Sequence, residues 1–285
     1  MNDRLQIVRT AAEAGAVVLR RHAGHVEQIR TKSSASDLVT EVDVASGVAV
    51  ARSIATQIPG ARFVIEEPEV YGLAAVQPGG LMDDEVWVID PLDGTTSYVH
   101  GYPCYSVSVA CLRHGRPVAG AVLDASRGEV FSAEAGGGAF LDGRPVHCGQ
   151  AVTISDSLLI TGFPYDRRVT LDQQLAVFTR LVRDVHGIRR DGSAAIDCCR
   201  VACGQADGFW EFALKTWDTA AGALIAAEAG CLVTDMAGAE WTPQTTDVLA
   251  ANPRLHEALV AAIGAALEAG GFPRPTSGER VAPPH

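Results

Sequence analysis

Long apolar runs are missing from this 285-residue chain. No stretch approaches the roughly 18 residues of a membrane-spanning helix. The opening MNDRLQIVRT also lacks the order of a secretory signal: a basic start, an apolar middle and a small-residue cleavage site. Positive charge is short as well. Twenty-three Lys and Arg stand against 34 Asp and Glu, a formal net charge of −11, with a pI near 5.1. A phosphate backbone is repelled by such a surface, which argues against direct, sequence-tolerant binding of nucleic acid. It leaves room for a phosphate held through metal ions. Lysine is almost absent, with only Lys32 and Lys215, and we read the arginine bias as a coding preference. The expectation is a cytoplasmic protein with neither a membrane nor a nucleic acid as partner.

Other absences narrow the chemistry. The seven cysteines are odd in number and scattered through apolar segments. Cys198-Cys199-x3-Cys203 is not zinc spacing and has no His set beside it. Buried free thiols in a reducing cytosol are therefore expected. There is no G-x-S-x-G or comparable nucleophile motif. With 47% hydrophobic and 20% charged residues the composition is ordinary for a globular chain. The length fits one large domain or two modest ones sharing a core.

Periodicity predicts a helix over 3–22, carried by Leu5, Val8, Ala12, Val17 and Leu19, and a second over 41–58, stopped by Pro59-Gly60. Strand signals then dominate: ARFVIEE, EVWVID, YSVSVACL, PVAGAVLD and GEVFSAE, with RHGRP reading as a hairpin turn. VYGLAAVQPGGLMDDE reads as a loop, and AGGGAFLDGRPV as a turn-rich piece. Beyond residue 150 strands and helices alternate, from LLITGF to the helix in PRLHEALVAAIGAALEA, so this half reads as α/β and the first as α+β. The divisions expected are an N-terminal subdomain over 1–148, a C-terminal one over 149–270 that completes the site, and a flexible tail over 271–285.

Four groups of acids stand at element ends: Asp37-Leu-Val-Thr-Glu-Val-Asp43, Glu66-Glu67, Asp90-Pro-Leu-Asp93-Gly-Thr-Thr, and Trp217-Asp218. The third is the most informative. WVI is a buried strand, so Asp90 falls at its carboxyl end, where open sheets place ligands. Pro91 is expected to stop the strand and Gly94 to allow a tight turn. Asp90 and Asp93 then converge across one turn with the Leu92 carbonyl between them. These are hard oxygen donors, suited to Mg2+ or Mn2+ rather than zinc. Gly94, Thr95 and Thr96 present amides and hydroxyls where a phosphate could sit. Each group also has a plainer reading: an Asx turn for D-x-x-D-G, a loop residue for Glu66, the polar face of a helix for Asp43, a helix cap for Asp218.

Together the groups resemble the inositol monophosphatase family of Mg2+-dependent, lithium-sensitive phosphatases. The resemblance is carried by Lys32-x4-DLVTEVD, Glu66-Glu67, WVIDPLDGTTSYVHGYP at 87–103, GSAAIDCCRVACGQADGFWE at 192–211 and LKTWDTAAG at 214–222, in order over roughly residues 5–265. It implies a layered αβαβα sandwich of the inositol monophosphatase and fructose-1,6-bisphosphatase type, a homodimer, and a phosphate monoester as substrate. It also implies roles. Glu66, Asp90 and the Leu92 carbonyl would hold one Mg2+, and Asp90, Asp93 and Asp218 a second. Glu66 and Thr95 would position the attacking water, with Asp43 accepting from the Thr95 hydroxyl. Gly94, Thr95 and Thr96 would meet the phosphate, and Gly192, Ser193, Ala194 and Glu211 would line the pocket for the alcohol.

Ser97 stands where the family usually shows Asn, and Pro68 follows the Glu pair where small polar residues are more usual. Neither removes a ligand. Hydrolysis of myo-inositol monophosphate is the expected activity. Sibling histidinol-phosphate or fructose-1,6-bisphosphate hydrolysis, or a regulatory binding role on the same fold, are the alternatives.

Overall fold

The computed structural model describes residues 3–32, 34, 37–163 and 167–273, without the side chains of 167–169. In chain order the first half runs α1 (Arg4–His22), β1 (Ile29–Thr31), β2 (Leu38–Thr40), α2 (Glu41–Gln57), β3 (Arg62–Ile65), α3 (Glu69–Ala74) and β4 (Gln77–Pro78). It continues with β5 (Val86–Asp93), α4 (Thr95–Val99), β6 (Ser106–Arg113), β7 (Arg116–Asp124), β8 (Glu129–Glu134), β9 (Gly138–Leu141) and β10 (Arg144–Val146). The second half holds β11 (Leu158–Thr161), α5 (Arg167–Leu181), β12 (Gly187–Arg189), α6 (Ala194–Ala202) and β13 (Gly208–Glu211). It ends with α7 (Thr216–Glu228), β14 (Leu232–Thr234), β15 (Val248–Ala251) and α8 (His256–Ala269). Of the expected tail, 274–285 lies outside the described residues, and Phe272 packs partly buried against the last apolar cluster.

Helices α1, α2 and α6 start where short polar side chains satisfy free backbone amides. Asp3 accepts from Leu5 and Gln6 at the head of α1. Thr40 and Asp43 cap α2 reciprocally. Ile7, Val8, Ala11, Ala12, Ala16 and Leu19 form the buried face of α1. Val17 was expected on that face but falls on the other side of the helix, 53% exposed.

Strands β3 to β10 form one eight-stranded sheet in the order β10-β9-β8-β7-β6-β5-β3-β4, with β5 parallel to β3 and antiparallel to β6. The expected hairpin joins β6 to β7, and its turn residues His114 and Gly115 have φ of +49° and +77°. That left-handed pair matches the twist of the flanking strands. The turn-rich piece after β8 is itself a hairpin, β9 to β10. The expected loop over 70–85 instead contains α3 and β4. Val70 and Ala74, four residues apart and both buried, give α3 an apolar side, and buried Val76 draws the next residues alongside β3.

The second sheet is ordered β12-β11-β13-β15-β14. It is mixed rather than parallel throughout, because β15 runs antiparallel to both β13 and β14. The layers are α1 and α2, the eight-stranded sheet, α6 and α7, the five-stranded sheet, then α5 and α8, each gap filled by an apolar cluster. Helix α7 is buried on nearly every side, from Thr219 to Ala226, since a sheet covers each face. Small residues allow this: a Cβ at Gly120 of β7 would stand 3.1 Å from the Ala221 Cα.

Helix α6 is tied to the first sheet by charge. Arg200, whose side chain is 7% exposed, donates to Asp124 at 2.7 Å and to Glu129 at 2.8 Å, with its guanidinium over the Phe131 ring. Asp124 is fully buried, so removing Arg200 leaves its charge with only half-exposed Arg127 at 3.9 Å and the hydrogen bonds from Ser126 and Arg127. Arg200→Met should therefore cost about 3 kcal/mol of unfolding free energy in urea titrations. A loss under about 0.5 kcal/mol would mean that solvent reaches Asp124 in the native state.

Candidate functional site

The carboxyl ends of β3, β5 and β13 and the amino ends of α2, α6 and α7 meet at one place. Each expected acid sits on one of them. Pro91 does not end β5 as expected. The strand continues to Asp93, and its pairing with β6 shifts register between Asp90 and Asp93. Pro91 has no N–H to give a ladder, and a bulge is where a strand tolerates that. The bulge puts Asp90, the Leu92 carbonyl and Asp93 on one short arc. The Asp90 side chain accepts from the Leu92 amide at 3.0 Å. This is the Asx geometry of the plainer reading, made by the same residue that faces the other acids.

Glu66, Asp90, Asp93 and Asp218 act on one another. Asp90, 2% exposed, is pushed well above the carboxylate range by burial first, then by the charges of Glu66, Asp93 and Asp218, and it hydrogen-bonds Glu66. Burial and the Glu66 charge raise Asp218 in the same direction. Asp93 is pushed up to about 6 by burial, although its Oδ2 accepts from the Ser193 hydroxyl at 2.6 Å and the Ala195 amide at 2.8 Å. Asp218 Oδ2 accepts from the Lys215 amide at 2.7 Å, so this residue both caps α7 and faces the acids. Lys32 is the cation that reaches this edge, bonded to Glu66 Oε1 at 2.7 Å and to buried Glu67. Burial alone would lower its ammonium pKa, but the two carboxylates raise it.

Beside the acids stands a hydroxyl held on two sides. Thr95 Oγ1 lies 2.9 Å from Asp43 Oδ1 and 3.1 Å from the Leu92 carbonyl. Asp43 is fully buried at the start of α2, its other oxygen taken by Thr40. Burial pushes it up to about 6 against those hydrogen bonds. Gly94 makes this corner fit. Its φ is +94°, and a Cβ there would stand 2.8 Å from the Cys104 carbonyl and 3.2 Å from that of Gly192. Gly192 and Ser193 therefore lie directly beside Gly94. Thr96 is exposed in the first turn of α4.

Glu211 is 6% exposed and raised to about 8 by burial and the Asp93 charge, with Arg190 opposing. Gly162 lets it lie so, because a Cβ there would overlap the Glu211 carboxyl. Sequence reasoning missed Thr40, Ala195, Gly162 and Arg190. Thr40 alone had a local signal, the T-x-x-D capping pattern; the others are backbone contacts or tertiary neighbours. Ser193, expected to line the alcohol pocket, has its hydroxyl bonded to Asp93.

Among the described residues, no three His, Cys, Asp or Glu side chains form a ready metal cage. The donor set nevertheless fits a hard divalent cation. It is all oxygen, and its mutual repulsion is offset at one edge by Lys32 and at the helix heads by backbone amides.

A layered αβαβα frame with an acidic site between its halves defines the class, a phosphomonoesterase-type enzyme. The chain belongs to the inositol monophosphatase family, whose model matches residues 2–268, and is an inositol monophosphatase-like phosphoric monoester hydrolase. It is 38% identical over 261 residues to an inositol-1-monophosphatase from Synechocystis sp., covering 92% of this chain and 88% of that one. It is 38% identical over 266 residues to the Nus factor SuhB of Pseudomonas aeruginosa, covering 92% and 96%. The solved inositol monophosphatase from Anabaena (Nostoc) sp. superposes with a TM-score of 0.80 at 36% identity, over 91% of this chain and 94% of that one.

Gly94→Ala tests how tightly the corner is built. The substitution combines a disfavoured φ with backbone clashes, so stability should fall by about 2 kcal/mol or more. Phosphatase activity should fall beyond what unfolding explains, measured on the fraction still folded. A variant as stable and active as the parent would show that the turn can move without consequence.

Proposed function

We propose that this protein hydrolyses myo-inositol monophosphate with Mg2+ as its cofactor and Mn2+ as a substitute. The observation that carries the reading is the convergence of Glu66, Asp90, Asp93 and Asp218 beside the Thr95–Asp43 hydrogen bond. Glu66, Asp90, Asp93, Asp218 and the Leu92 carbonyl would hold the metal. Bound there, Mg2+ would supply positive charge to the phosphoryl oxygens and to the attacking and leaving oxygens of an in-line displacement. Phosphate monoesters are among the slowest of uncatalysed hydrolyses, so that stabilisation must be large.

The chain's own groups do the positioning. Asp43, held by Thr40, fixes the Thr95 hydroxyl, which with Glu66 orients the water for attack. The amide ends of Gly94, Thr95 and Thr96 face the phosphate, at the start of a short helical turn. Ser193 and the amides of Ala194 and Ala195 keep Asp93 in place. Glu211, further out, offers hydrogen bonds to neighbouring hydroxyls of a polyol. We read the protein as cytoplasmic and homodimeric. The Pseudomonas relative's naming as a Nus factor supports a second reading, a regulatory partner role on the same fold. Phosphate release separates the two, since the regulatory reading requires none.

A phosphate-release panel covering inositol 1-phosphate, fructose 1,6-bisphosphate and histidinol phosphate, with and without Mg2+, is the direct test. Inositol 1-phosphate should be turned over best, and chelation of Mg2+ should abolish release. Asp90→Asn should lower kcat/KM by roughly a thousandfold, about 4 kcal/mol of transition-state stabilisation. Near-parent turnover of that variant at saturating Mg2+ would remove Asp90 from the metal set.

Glu211 should act on substrate choice. Glu211→Ala should raise KM for inositol 1-phosphate about tenfold, the size of one buried hydrogen bond. Hydrolysis of glycerol 2-phosphate, which lacks the ring, should change by less than about twofold. Equal losses on both substrates would make Glu211 a support of the metal site.

A further inference from the structure

The seven cysteines are all free, but they are not equivalent. Cys148 follows β10, where the chain leaves the first sheet for the second, and it is half-buried. Its amide donates to the Ala229 carbonyl at 3.1 Å, which brings it against the turn that closes α7. A Cβ at Gly230 would stand 3.9 Å from the Cys148 sulfur. The next residue, Cys231, is 6% exposed, and its thiol is close enough to that of Cys148 for each to shift the other's pKa. On the other side, a Cβ at Gly204 would stand 3.4 Å from the Gly149 amide. That contact brings Cys203 near as well, but its thiol is directed to the Arg200 carbonyl at 3.5 Å.

The pair is chemically asymmetric. The neighbouring Cys231 thiol lowers the Cys148 thiol to about 7. The same interaction, with burial, raises Cys231. Of the remaining cysteines, Cys104, Cys111, Cys198, Cys199 and Cys203 are all raised by burial. One partly exposed thiol, which peroxide can reach, beside one buried thiol is the arrangement of an attacking and a resolving cysteine.

We propose that Cys148 and Cys231 form a hydroperoxide-reactive dithiol that closes to a reversible disulfide. In the first step the Cys148 thiolate attacks one peroxide oxygen. The O–O bond breaks, an S–O bond forms, and hydroxide leaves, protonated to water by solvent or by the Cys231 thiol. In the second step Cys231 sulfur attacks the sulfenic Cys148 sulfur, the S–O bond breaks, and the second oxygen leaves as water. Two thiols lose two electrons and two protons together, and the peroxide is reduced to two waters. The product links the strand-to-strand passage between the sheets to the carboxyl end of α7. Asp218 lies at the other end of that helix, roughly 15 Å away at 1.5 Å per residue. The link therefore pins the two halves together without touching the acids.

The test treats the full-length protein with one equivalent of hydrogen peroxide, followed by non-reducing peptide mapping. The expected product is a single 148–231 linked peptide, lighter by two hydrogens and reversed by dithiothreitol. Cys148→Ser, at the half-buried position, should abolish it and leave the other thiols unoxidised. The linked form should melt higher by about 5 °C or more, since a loop of more than 80 residues is closed. Phosphate release, measured in parallel, should be unchanged within about twofold. The proposal is overturned if Cys148 stays a thiol, if it stops at the sulfinic acid, or if its partner is Cys203. It is overturned equally if Cys148→Ser oxidises as the parent does. All of these readouts are independent of which phosphate ester the enzyme uses.

Discussion

Repulsion among buried and half-buried carboxylates is the constraint that the rest of the structure answers to. Glu66, the Asp90–Asp93 pair and Asp218 come from three separate places in the chain, and their charges, with burial, raise the affinity of Asp90, Asp93 and Asp218 for protons. Bringing such charges out of water costs several kcal/mol each. A fold that gathers them must recover this elsewhere, and here it does so through three apolar clusters, two in the outer gaps between layers and one that fills both gaps around α6 and α7. The central layer bears the greatest demand. Helices α6 and α7 lie between two sheets, and both point their amino ends at the acids.

Helix geometry moderates that repulsion locally. Amide groups at the heads of α6 and α7 donate to Asp93 and Asp218, and the head of α2 carries Asp43. Positive ends of three helix dipoles thus face the negative cluster. Lys32 closes one edge, paired with Glu66 and Glu67. What the helices and the lysine leave uncompensated is a set of oxygen donors of the kind hard cations take.

Rigidity comes from contacts that exclude alternatives. Gly94 can be neither replaced nor flattened without meeting the Cys104 and Gly192 carbonyls. The Thr95 hydroxyl, between Asp43 and Leu92, then has one direction to face. Arg200 joins α6 to β7 and β8 through a buried carboxylate, so α6, which holds Asp93 through Ser193, cannot slide along the sheet. The same joint region brings Cys148 beside Cys231, where first and second sheets meet.

Much of this was legible from local pattern. The apolar period of α1 and α2, the strand signals from β3 to β8 and the alternation after residue 150 follow from rules that act within one element. The acids at element ends were also visible, because Pro, Gly and charge mark such ends in the sequence. What tertiary structure decided was everything that depends on a neighbour distant in the chain. The bulge that carries β5 through Pro91 exists because β6 pairs on both sides of it. A short helix stands where a loop was expected, because Val70 and Ala74 find a core to enter. The Ser193 hydroxyl bonds Asp93, and Glu211 is buried, its pKa raised by desolvation and the Asp93 charge. Sequence determined which residues could serve. The fold determined their charge states, because desolvation and Coulomb interaction depend on burial and distance, which no local pattern encodes.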